Sequence, residues 1–261
     1  MHDPYAWPLD FEALVLVPAL AIGYALLVRR YPTQRWRVTC FVAGLALILA
    51  VFVTPLHPIA LHYLLSIHLL QNVVLAEWAP ALCVVGLPAG IRGPRLFTHP
   101  VVALPLWAGT YFVWHIPAVY DAALRHQGSL LHLEHLSYFV TGCLFWWPVL
   151  RDEPHRLAAG VRAMYLFAAF VVASPLGLLL ALIPRAVYDY YVHAPRLWGL
   201  SPLTDQQVGG AAMALEQAAV LFAVGTWFFL RFLSGEGRAD TFRTLPPPSS
   251  VQSRREMRDG R

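Results

Sequence analysis

Long apolar runs separated by short polar stretches dominate the chain. A bilayer core of about 30 Å takes about 20 apolar residues in a helix. Seven stretches approach that length: 11–28, 38–54, 62–86, 101–120, 130–150, 161–183 and 208–233. Pro18, Pro80, Pro105, Pro117 and Pro175 interrupt them. Membrane helices tolerate such prolines because neighbouring groups satisfy the freed carbonyls. The pattern predicts an all-α integral membrane protein, a seven-transmembrane helix bundle spanning 1–233. Residues 11–28 follow neither a basic segment nor a cleavage pattern, so they are expected to be a retained span. The remaining residues, 234–261, are rich in Arg, Pro and Ser and predict a disordered tail.

Composition supports the membrane class. Of 261 residues, 58% are hydrophobic and only 13% charged, against about 45–50% and about 25% in soluble domains. The net charge of +4 matters through its distribution. All nineteen basic residues are Arg. Sixteen fall in the loops after the first, third and fifth spans and in the tail, counting Arg162 and Arg231 at the adjoining span ends, and three (Arg125, Arg185, Arg196) in the alternate loops. The positive-inside rule then puts the N-terminus outside and the C-terminus inside. The tail arginines should lie against anionic lipid, and nothing points to nucleic acid. Cys40, Cys83 and Cys143 lie in apolar runs without CxxC spacing, so they read as small buried hydrophobes.

Polar residues break this background mainly in WHIPAVYDAALRHQGSLLHLEHLSYFV, which ends one span and starts the next. Ionisable groups inside a membrane are costly, and their clustering calls for a function. Counting depth along each helix puts His68, His115, His132, His135, Met213 and Glu216 in one outer layer contributed by four spans. His132 and His135 are three residues apart and share a helix face. Imidazole with an available thioether suits copper first and zinc second. Glu134 and Glu216 read as partners that hold an imidazole in place. Asp205 reads as a helix N-cap, and Met213 as core packing unless it joins the metal. His2, His57, His62, His126, His155 and His193 read as interface residues, the 184–207 loop as an aromatic-anchored cap, and Trp146–Trp147 as an interfacial belt.

Several classes drop out. A retinal protein needs a lysine, and the chain has none. No GxxxxGKS, HExxH or GxSxG motif is present, and the chain is expected not to be an enzyme. A bis-histidine haem protein and a copper permease-like transporter remain as alternatives, the latter without a visible internal repeat.

WHIPAVYDAALRHQGSLLHLEHLSYFVTGCLFWWPVL, SPLTDQQVGGAAM and IHLLQNVVLAEWAPAL resemble segments of the multi-spanning CtaG family of cytochrome c oxidase assembly factors, over roughly residues 55–232. The resemblance implies a seven-span protein of the bacterial plasma membrane. Its partners would be haem–copper oxidase subunits, and its role copper supply to that enzyme. His68, His115, His132, His135 and Asp205 fall on the family's motif positions. One departure stands out. After Gln71 the family pattern has a second histidine, and here the residue is Asn72. Glu77 and the run ALEQ after Met213 are also atypical.

Overall fold

The computed structural model describes residues 3–235, and among these the regular structure is entirely helical. The expected tail lies almost wholly outside the described residues. In chain order the elements are α1 (Glu12–Arg30), α2 (Arg35–Val53), the short α3 (Leu56–His62) and α4 (Leu65–Gly86). They continue with α5 (Pro100–Trp114), α6 (Pro117–Arg125), α7 (His132–Leu150) and α8 (Ala159–Leu182). The short α9 (Asp189–His193) and the long α10 (Pro202–Leu233) complete the chain.

Five helices, α1, α2, α4, α8 and α10, are long and apolar enough to cross a membrane. The pair α5–α6 makes a sixth if its 74° bend is counted as one broken span. These helices make the chain a multi-pass membrane protein. The expected fourth span, 101–120, is therefore not straight. Ile116 precedes Pro117 and is driven out of the helical region, to φ −63° and ψ 121°. His115 sits at that break. The expected fifth span is present as a helix, α7, preceded by a π-helical turn at Gln127–Leu131. Its 19 residues fall outside the apolar set, because His132, Glu134 and His135 occupy its first turn.

α4 is the most buried of the candidate spans and packs against α2, α7 and α10. α8 pairs closely with α10, α5 with α7, and α1 with α2. The closest approaches rest on glycine, which lets backbones meet in a membrane. A Cβ on Gly142 of α7 would collide with the Ala76 carbonyl of α4, and one on Gly210 of α10 would stand 2.6 Å from the Ala181 nitrogen of α8.

One end of the bundle collects arginine. Arg37 donates to the carbonyls of Val85 and Leu87, and buried Arg151 donates to those of Leu87, Pro88, Ala89 and Ile91 at 2.6–3.2 Å. At the opposite, Arg-poor end, the chain between α8 and α10 folds over the bundle. Two of its three tyrosines, Tyr188 and Tyr191, are buried rather than placed as the interfacial anchors the sequence suggests. Asp121 accepts from the amides of Asp189 and Tyr190 and ties this cap to α6. Trp146 and Trp147, expected in a belt, are likewise buried in the bundle.

Asp205 is a cap, but not of its own helix. Ser201 caps α10 by accepting from the Thr204 amide. The Asp205 carboxylate instead accepts from the amides of Leu65 (2.6 Å) and Ser66 (3.2 Å), at the open start of α4. An acceptor there meets unpaired amides and the positive end of the helix dipole. Asp205→Ala should cost about 1–2 kcal/mol and lower the thermal midpoint in detergent. Asp205→Asn, which keeps an acceptor, should lose less.

Candidate functional site

The site lies at the Arg-poor end of the bundle, where α4, α7, the α5–α6 bend and the cap meet the segment entering α1. Three imidazoles form its interior: His68 of α4, His115 at the bend and His135 of α7, all buried. Each uses Nδ1 on a neighbouring acceptor. His68 Nδ1 meets the Tyr191 hydroxyl at 2.9 Å, and that hydroxyl donates onward to the Ala60 carbonyl. His115 Nδ1 meets the Tyr111 carbonyl at 2.7 Å. His135 Nδ1 meets Glu12 Oε1 at 3.0 Å. A carbonyl, a carboxylate and a hydroxyl whose proton is already given can only accept, so each Nδ1 carries the hydrogen. Each Nε2 is then left with a lone pair. All three Nε2 atoms are buried without a hydrogen-bond partner.

The rings stand around Tyr120. Its ring centroid lies 5.2 Å from that of His68 and 5.9 Å from that of His115, and His68 and His135 are 6.2 Å apart. The Tyr120 hydroxyl is also unpartnered. Buried polar groups are normally paired, so the orphaned Nε2 atoms of His68 and His115 beside Tyr120, and of His135 next to His68, are the atoms that could hold a ligand.

Beside His135, toward the chain's beginning, lies a second group. Asp10, Glu12 and His132 offer ligand atoms within 4.8 Å of one another, and among the described residues they are the one such group of three. His132 Nδ1 bonds Glu12 Oε1, the same oxygen that receives His135. Burial raises the Asp10 carboxyl, but the adjacent His57 and Glu12 side chains hold it well below the ordinary carboxylate range. His57, read from sequence as an interface residue, is buried. It meets Gln71 Nε2 at 3.1 Å and stands 3.7 Å from Asp10.

The structure thus divides the histidines expected to hold copper. His132 belongs with Asp10 and Glu12, His68 and His115 with Tyr120, and His135 faces both. Asn72 and Glu134 do meet, Asn72 Nδ2 donating to Glu134 Oε1 at 3.0 Å across α4 and α7. Gln71 is one residue away on α4, turned to His57 and to the Val51 carbonyl. Met213 is buried in the core. Glu216 does not share the histidine layer: it accepts from Trp78, one residue past Glu77. Asp10, Glu12, Tyr120 and Tyr191 were not singled out from sequence. Two carboxylates opening a long apolar run were the available signal for Asp10 and Glu12, whereas nothing local marks the tyrosines.

No curated protein and no solved structure matches the chain. The family model described as cytochrome c oxidase caa3 assembly factor (Caa3_CtaG) matches residues 21–234, extending the likeness seen in the sequence motifs through the first two helices. The chain belongs to that family of cytochrome c oxidase assembly factors.

Proposed function

We propose that this protein is a non-catalytic assembly factor that carries copper to a haem–copper oxidase across the outer leaflet of the bacterial plasma membrane. The observation that carries this reading is the trio of buried imidazoles, each with Nδ1–H spent on the protein and Nε2 bare. A neutral imidazole with its second nitrogen held by a hydrogen bond is the form that binds a metal. Copper here is cargo. Asp10, Glu12 and His132 form the mouth, and His135, His68 and His115 the interior. A site whose donors do not all converge suits an ion that must leave again.

The reading takes seven crossings, with the α5–α6 pair as one broken span and α7 as another. At 1.5 Å per residue α7 is about 28 Å long, close to the hydrocarbon thickness. The arginine-rich end then faces the cytoplasm, and the histidine layer faces out, toward the side from which a membrane-bound oxidase would receive the metal.

Metal content and Cu(I) affinity of the purified protein test this, compared with His132→Ala/His135→Ala. The wild type should retain copper, and the double variant should lose it and leave the oxidase without full activity. A double variant that still matures a fully active oxidase would refute the copper pocket. A Soret band in the wild type would assign the imidazoles to haem instead.

A further inference from the structure

The segment that enters α1 carries a cluster whose donors differ from those of the imidazole trio. Asp10 Oδ2 accepts from the Glu12 amide at 3.4 Å, which brings both carboxylates to the start of α1. His132, the first residue of α7, reaches them from another helix. Its Nδ1 bonds Glu12 Oε1, and its ring packs on Phe11 with centroids 5.1 Å apart. One ligand atom from each of Asp10, Glu12 and His132 lies within 4.8 Å of the other two. Ligand atoms on a tetrahedral zinc, each about 2.0–2.2 Å from the ion, stand about 3.4 Å apart. Small side-chain rotations therefore suffice to close the three around one ion.

The hydrogen bonds of the cluster leave one atom unserved. Glu12 Oε1 already receives both His132 and His135. Glu12 Oε2 is buried without a partner, on a side chain only 5% exposed. A proton on His132 serves Oε1 again and does nothing for Oε2. His57 faces the other carboxylate, 3.7 Å from Asp10. A buried carboxylate oxygen left bare is costly, and the group that meets this one has to come from outside the chain. A route exists, because Asp10 and His132 keep 23% and 28% of their side chains exposed. The cluster thus opens at the Arg-poor surface, with Glu12 as its floor.

Two carboxylates and one imidazole suit a different ion from the one an all-imidazole set takes. Oxygen donors with negative charge favour a divalent cation, whereas Cu(I) favours softer donors. We propose that Asp10, Glu12 and His132 form a second metal site in this protein, one that takes a divalent cation of the zinc type. An ion there ties the start of α1 to the start of α7. It also holds Glu12 in place, and Glu12 is the carboxylate that fixes the His135 tautomer from behind. Both carboxylates precede residue 21, where the family likeness begins. The inference goes beyond the copper reading, because the ion is a resident of the mouth and binds whether or not the imidazole trio carries Cu(I).

Zinc chloride titrated into the full-length protein, purified in detergent and stripped with a chelator, tests the assignment by calorimetry. The wild type should bind zinc, and the ion should raise its thermal midpoint. Losing a residue that only supports a metal ligand costs about 10–100-fold in affinity. Losing a ligand should cost no less, so Asp10→Asn and His132→Gln should each weaken zinc binding by about 100-fold and cancel the midpoint shift. Without zinc, both variants should elute and melt close to the wild type. His68→Ala/His115→Ala should bind zinc as the wild type does, even if it loses Cu(I), which separates this site from the copper pocket. A wild type that binds no zinc, or variants at Asp10 and His132 that bind it unchanged, would overturn the proposal. Zinc lost in His68→Ala/His115→Ala and kept in Asp10→Asn would place the ion among the interior imidazoles and overturn it equally.

Discussion

Arg151→Leu is expected to destabilise the protein by about 3 kcal/mol or more. The side chain is buried and donates to four carbonyls of the 87–91 segment. Hydrogen bonds from a charged donor each contribute about 1.5–3 kcal/mol net, and carbonyls left unmet add their own penalty. Leucine fills part of the space and none of the bonding. Thermal unfolding of the purified protein in detergent would show a lower midpoint. Arg151→Lys should recover only a fraction, because an ammonium is a point donor without the planar fork that reaches several carbonyls at once. A variant that melts with the wild type would mean that water serves these carbonyls equally well.

Gly142→Val should act at the other end of the scale, on packing rather than bonding. The added Cβ would collide with the Ala76 carbonyl oxygen and stand 2.8 Å from Pro80 Cγ. A backbone carbonyl cannot turn aside, so α7 must move off α4. Overpacking of this kind costs about 3 kcal/mol at the upper end of its usual range. The displacement also pulls Glu134 from Asn72 and His135 from His68, contacts made across the same pair of helices. On the proposed copper reading, loss of copper retention should accompany the lower midpoint, with Gly142→Ala showing both effects more weakly. Retained copper in a destabilised Gly142→Val would show that the histidine layer does not depend on the spacing of α4 and α7.

Much of the fold was legible because apolar runs of bilayer length are hard to satisfy any other way. The first two spans, the sixth and the last were found within a few residues at most ends, although α10 begins six residues before its expected start. The fourth was not, since Pro117 alone does not say whether a helix kinks or breaks. The bend depends on Ile116 turning extended and on α6 lying under the cap, both tertiary facts. At the site, His68, His115 and His135 were visible as ionisable residues in an apolar background. Their separation from His132 was not. That separation comes from Asp10 and Glu12, which lie at the start of the first span and reach His132 only in three dimensions. Glu216 was misplaced by depth counting, which assumes that all helices start level. α10 begins at Pro202, above α4, and the two run past each other until Glu216 meets Trp78.

The cap that Asp205 places on α4 has a meaning for the order of events during synthesis. The two residues it joins are 140 positions apart. When α4 leaves the ribosome its first amides have no acceptor from the chain, and they gain one only after the last span has followed it into the bilayer. The helix that carries His68 is thus finished by the end of the chain. A nascent or truncated product lacking α10 would hold His68 on an unsecured helix. Insertion of the final span becomes the step that secures the start of α4.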